Sequence, residues 1–144
     1  MSQDEGFLQA IIEEPDDVGL RLIFADWLDE RGDPRGEFIR VQCLLEEIEE
    51  DDPRRVELKT RERELLAAHE REWLGELDGR VSKWTFRRGF VEHVSVHAPL
   101  FVTEAEKLFR QTPLRSAHLF GALEAAKELA GCPFLARLRR LDLR

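Results

Sequence analysis

Three segments decide the fold of this 144-residue chain: Val91-Glu92-His93-Val94-Ser95-Val96, Leu114-Arg115-Ser116-Ala117-His118-Leu119 and Leu138-Arg139-Arg140-Leu141-Asp142-Leu143. Each fits the pattern LxxLxL, with valine or alanine at some leucine positions. The offset from Val91 to Leu114 is 23 residues, and from Leu114 to Leu138 it is 24. Amphipathic stretches, residues 103–111 and 122–130, lie between them. A strand followed by a helix, recurring at roughly 20–29 residues, reads as a solenoid of stacked β/α units.

The expected architecture is therefore α+β: an N-terminal helical module of about four helices, capping a short leucine-rich-repeat-like β/α solenoid. The expected domains are residues 1–80 for the helices and 81–144 for the strand/helix units. Along a strand, successive side chains point to opposite faces. Val94 and Val96 then face inward, and His93, Ser95 and His97 outward. A shift of one repeat sets Ser116, His118 and Phe120 beside them, and a second shift adds Arg140, Asp142 and Arg144. These positions line the concave parallel-strand face with which repeat proteins bind. His93, Ser95, His97, His118, Phe120, Arg140 and Asp142 are the expected partner-contacting residues. Three histidines on one face raise the question of zinc. His93 and His97, however, lie about 13 Å apart at roughly 3.3 Å per residue, too far to share one ion. No metal or cofactor is expected.

Upstream, the hydrophobic period changes to that of helices. Phe7, Leu8, Ile11 and Ile12 form one stripe over residues 4–14, which Pro15 ends. Asp16 or Asp17 suits the cap of a second helix, whose stripe is Leu20, Ile23, Phe24, Trp27 and Leu28. Gly32 suits its left-handed C-terminal cap. Asp33 then caps a third helix over 34–50, with Pro34 in its first turn. That helix ends in an acidic run, Glu46–Asp52, which opposes the helix dipole. A fourth helix is expected from Pro53 to Leu77. Residues 84–88 and 89–97 read as extended, with Arg88-Gly89 a turn or bulge.

The stretch from Leu22 to Gln42 also resembles a known bacterial family. Phe24-Ala25-Asp26-Trp27-Leu28, followed by Glu30-Arg31-Gly32-Asp33-Pro34-Arg35-Gly36-Glu37-Phe38-Ile39, is similar to the hallmark of the repeat-companion domain. That module is typically followed by leucine-rich repeats and has no established enzymatic activity. The resemblance covers roughly residues 5–48 and implies an architecture, a helical module beside a repeat array, rather than a chemistry. Within it, Asp26, Trp27, Gly32, Asp33, Arg35, Gly36 and Glu37 read as structural: Trp27 as core, Asp33 as a cap, Gly32 and Gly36 for positive φ and close helix approach. Arg35 is expected to pair with Asp26 or Glu37 across the turn between helices two and three.

Composition bounds the function. The chain is 42% hydrophobic and 36% charged, with a net charge of −8. Residues 1–80 carry 24 acidic and 11 basic side chains, and residues 81–144 carry 6 acidic and 11 basic, so the halves differ in sign. The acidic half argues against nucleic-acid binding by the whole chain. Lys83, Arg87, Arg88, Arg137, Arg139 and Arg140 keep a weak contact by the basic half open. No apolar run approaches the roughly 18 residues of a membrane helix. The acidic start, Met1-Ser2-Gln3-Asp4-Glu5, argues against a secretory signal, so a cytoplasmic protein is expected. Cys43 and Cys132 read as reduced thiols. There is no GxSxG, phosphate-cradling glycine loop, HExxH or CxxC. The expected function is non-catalytic protein–protein interaction through the concave face. The alternative is a regulatory accessory component that binds a basic partner through the acidic helices. The sequence does not set the partner's identity or the oligomeric state.

Overall fold

The computed structural model describes residues 2–144. These residues form an α+β protein with six α-helices, mostly N-terminal, and an open, mixed sheet of four strands in the order β1-β2-β3-β4. The chain clusters into two compact units. One holds the residues up to Leu74 together with Arg87–Phe90, and the other holds Gly75–Phe86 and Val91–Arg144.

The first unit contains α1 (Gln3–Glu13), α2 (Val18–Glu30), α3 (Arg35–Glu47) and α4 (Arg54–Leu74). Asp17 caps α2 by accepting the Leu20 amide. The helix closes in a Schellman turn: the Gly32 amide donates to the Asp29 carbonyl and the Asp33 amide to the Leu28 carbonyl, with Gly32 at φ +71°. Helix α3 stops at Glu47, three residues before the expected end, since the acidic run opposes its dipole. The Arg55 guanidinium donates to the Leu45 and Ile48 carbonyls at that end (3.1 and 2.8 Å). Helix α4 likewise ends three residues short, and a 3-10 turn over Gly75–Leu77 follows.

The buried face of α2 differs from the predicted stripe. Arg21, Phe24, Ala25 and Leu28 are buried, whereas Ile23 is 55% exposed. Trp27 is only partly buried, at the edge of a cluster of Ile11, Phe24, Ala25, Leu28, Ile39, Cys43 and Phe90. The face is rotated because α2 meets α3 at small residues. A Cβ on Gly36 would lie 2.6 Å from the Ala25 carbonyl oxygen and closer still to the Asp29 carboxylate. Gly36→Ala is therefore expected to lower the unfolding free energy by about 1–3 kcal/mol in urea titration. A midpoint equal to wild type would mean that the two helices can part at no cost.

In the same unit, Arg88 (φ +51°) and Gly89 (φ +92°) form the two-residue link between β1 (Lys83–Arg87) and β2 (Phe90–His97). Positive φ at both positions is the signature of a type I′ hairpin turn. Arg21, 0% exposed, donates to the carbonyls of Pro15 (2.8 Å), Arg87 (3.0 Å) and Arg88 (3.2 Å). The Gln42 side-chain oxygen accepts the Gly89 amide at 2.7 Å, and Arg35 Nη2 donates to the Gly89 carbonyl at 3.2 Å.

The second unit runs on from β2 into α5 (Ala98–Gln111), β3 (Ser116–Phe120), a 3-10 turn over Ala122–Ala125, α6 (Ala126–Ala130), a 3-10 turn over Pro133–Arg137, and β4 (Arg140–Leu143). Helix α5 starts at Ala98, five residues earlier than its polar pattern suggested. Pro99 fits its first turn, and Ala98 and Phe101 are buried. Strands β3 and β4 each begin two residues later than predicted. Even so, the Arg115 amide already donates to the Glu92 carbonyl, and the Arg139 amide to Arg115. Val94, Val96, Ala117 and Leu119 are buried at 0–1%, but Leu141 and Leu143 on the edge strand are 38% and 49% exposed.

Candidate functional site

The parallel strands β2, β3 and β4 share one register. His93 stands opposite Ser116 and Ser116 opposite Arg140, while Ser95, His118 and Asp142 form the next polar rung and His97 stands opposite Phe120. The pairing offsets are the 23 and 24 residues of the sequence pattern. The period-two pleat then places these eight side chains on the face opposite Val94, Val96, Ala117 and Leu119.

The rungs are joined by side chains. His93 Nδ1 lies 2.6 Å from Ser116 Oγ, and His118 Nδ1 lies 3.3 Å from Ser95 Oγ. The His97 ring packs 5.4 Å from Phe120, whose ring is 6.4 Å from His118. His118 Nε2 is buried and has no hydrogen-bond partner among the described residues. Ser95 is buried, His93 and His118 are half-buried, and Phe120, Arg140 and Asp142 are exposed. Burial, and next the nearby His118 and Arg140, hold the His93 pKa below the ordinary histidine value. Glu124, to which the strand pattern did not point, joins the group through His97 Nε2 at 3.3 Å. The chain turns towards His97 at Gly121 (φ +71°), where a Cβ would lie 2.9 Å from that nitrogen. The glycine was the only sequence signal for this return.

The polar residues of the Phe24–Ile39 stretch are absorbed by structure. Asp26 and Asp29 both pair with Arg40, and Glu37 is held by Arg61 at 2.6 and 2.7 Å. Arg35 therefore does not pair with Asp26 or Glu37. Its guanidinium is drawn instead to the Gly89 carbonyl and the ring of Phe90, at 4.8 Å, where the turn offers an acceptor and an aromatic face. Burial lowers the Arg35 pKa to about 10, against the pull of Asp33 and Glu72, so it stays charged at neutral pH. Asp33 Oδ1 accepts the Arg35 amide at 3.0 Å, the capping contact expected of it.

Cys43, buried, and Cys132, half-buried, are both free thiols. Among the described residues no group of three or more His, Cys, Asp or Glu is placed to hold a metal ion, and no helix is long and apolar enough to cross a membrane. Compared with known proteins, the chain matches no family model, no curated protein and no solved structure.

Proposed function

We propose that this chain is a non-catalytic, cytoplasmic protein–protein interaction module, in which a repeat-companion helical domain accompanies short leucine-rich-repeat-like units. The polar face of β2, β3 and β4 is its docking face. One observation carries the reading: the 23- and 24-residue register sets His93/Ser116/Arg140 and Ser95/His118/Asp142 on common rungs. Repeat proteins bind through faces assembled in this way, one contact per rung. The resemblance of Phe24–Ile39 to the repeat-companion hallmark supports the same reading.

The acidic-helix alternative has less to work with. Glu46 is engaged by Arg87 at 2.5 Å and Asp52 by Arg54 at 2.9 Å. The nucleic-acid alternative likewise meets Arg87 beside Glu46, Arg88 within 4.0 Å of Asp16 and Glu46, and Arg137 stacked 4.7 Å over Phe109. The test is affinity capture with the tagged full chain and with a variant combining His97→Ala, His118→Ala and Arg140→Ala. The proteins retained by the wild type are expected to be lost by the variant, with its melting temperature unchanged. Retention of the same proteins by the variant would refute the assignment of the face.

A further inference from the structure

The outer edge of the sheet is complementary to itself. We propose that β4 pairs antiparallel with β4 of a second copy of this chain, across a two-fold axis at Leu141, so that Arg140 of each copy faces Asp142 of the other.

β4 is paired with β3 on one side only. The Arg140 and Arg144 amides donate to the Arg115 and Leu119 carbonyls on that side. Alternate residues of a strand turn their backbone groups to opposite neighbours. Leu141 and Leu143 therefore turn theirs outward, a row of donors and acceptors open to another strand. Sheet edges are commonly blunted by proline, by a bulge or by charge. β4 has no proline, and its register with β3 is unbroken. Its two charged residues, Arg140 and Asp142, are of opposite sign and lie two apart on the polar face. Both are exposed, and neither side chain makes a hydrogen bond or ion pair among the described residues.

These charges select one register. Directly opposite residues of an antiparallel pair interact on one side of the sheet, and like charges there are destabilising. A two-fold axis at Arg140 sets that residue against itself. An axis at Asp142 hydrogen-bonds both leucines, but it sets Asp142 against itself and Arg140 against Arg144 twice over. An axis between residues turns the polar face of one copy to the apolar side of the other. The axis at Leu141 pairs Arg140 with Asp142 twice, and Leu141 exchanges both backbone hydrogen bonds with its counterpart. On the apolar side, Leu141 and Leu143 are part-exposed and Leu123 is 94% exposed. Leu123 and Leu143 border a groove of about 520 Å³, lined also by Ala126, Leu129 and Leu135. Pairing takes part of this surface out of water. The two polar faces then run on as one, and the pairing is independent of what that face binds.

A single strand pair buries less than the roughly 1,200 Å² of stable specific complexes, so a weak dimer is expected, with a Kd of about 0.1 mM. The full chain is followed by sedimentation from about 10 μM to about 1 mM, concentrations that bracket that Kd. Its mass is expected to rise from 16.8 kDa towards twice that value, and the affinity to fall several-fold in about 0.5 M salt. Arg140→Asp and Asp142→Arg alone each set like charges opposite, and each is expected to weaken pairing about tenfold or more. An equimolar mixture of the two variants restores both ion pairs, as does the double variant. Both are expected to associate within about threefold of wild type. Recovery on mixing excludes misfolding as the cause of the loss. Four results would each overturn the pairing: monomer at every concentration, stronger association of Arg140→Asp (the mark of the Asp142 axis), no recovery on mixing, or a mass that grows past the dimer. No docked partner enters these measurements, so the pairing and the docking face stand or fall separately.

Discussion

Arg21→Met is expected to remove about 3–5 kcal/mol from the stability of the helical unit, read as a lower midpoint and free energy in chemical denaturation followed by circular dichroism. Arg21 is 0% exposed, and its guanidinium donates to three carbonyls at 2.8–3.2 Å. Two of those acceptors, Arg87 and Arg88, flank or lie in the hairpin turn, and the third, Pro15, lies in the link between α1 and α2. Methionine fills most of the volume but donates nothing. Each acceptor left buried and unpaired costs about 1–3 kcal/mol, which outweighs the relief of not burying a charge. The stack of the guanidinium 5.6 Å from the centre of the Phe90 ring is lost as well. Lysine is the informative second variant. One ammonium keeps the charge but cannot reach three acceptors in a planar fork, so Arg21→Lys should recover less than half of the loss. Full recovery by lysine would mean that charge alone, and not the fork, holds the turn. A methionine variant as stable as wild type would remove Arg21 from the account of the fold.

This arginine also marks where reading the sequence stops. The strand register was legible because every strand repeats the same constraint. Val94 and Val96, Ala117 and Leu119, and Leu141 and Leu143 must share one side of the sheet, so a one-residue slip would turn each pair outward. The spacing of the apolar residues thus carried the parity of His93, Ser95 and His118 with it. Helices were legible by period and by caps, as at Asp17 and Gly32. A buried arginine has no such repetition. On α2, Arg21 reads as a polar gap in the apolar stripe, and two of its three acceptors lie 66 and 67 residues away. Nothing local announces them. The same holds for Arg35, whose nearest acids in sequence are Asp33 and Glu37, yet whose side chain goes to Gly89, 54 residues on. Ile23 was misread for a related reason. Its spacing fits the stripe, but the face of α2 is set by how near α3 can come, and Gly36 lets α3 come close at Ala25. Close approach is a property of two elements and is not written in the period of one.

Gly89→Ala is the second large effect, expected at about 3 kcal/mol or more, and it can be separated into its causes by a comparison inside the same unit. Gly32 and Gly89 both have positive φ, +71° and +92°. Around Gly32 nothing lies within 4 Å of where a Cβ would be, so Gly32→Ala should cost only the backbone strain, about 1–2 kcal/mol. At Gly89 the same strain applies, and the Cβ would also stand 3.0 Å from Ile39 Cα and closer to Ile39 Cγ1. Ile39 is 0% exposed and cannot swing aside, so overpacking adds about 1–3 kcal/mol. Asparagine distinguishes the two terms, because it tolerates a left-handed backbone but still carries a Cβ. Gly32→Asn should be nearly neutral, whereas Gly89→Asn should stay strongly destabilised. If Gly89→Asn is instead as stable as wild type, the Ile39 contact is not tight and strain alone would account for the alanine variant. If Gly89→Ala costs no more than Gly32→Ala, the fit of the hairpin turn against α3 is lost as an element of the fold. The expected ordering, Gly89 well above Gly32 with both substitutions, ties the turn that starts β2 to a single side chain of α3, within the unit that Arg21 also holds.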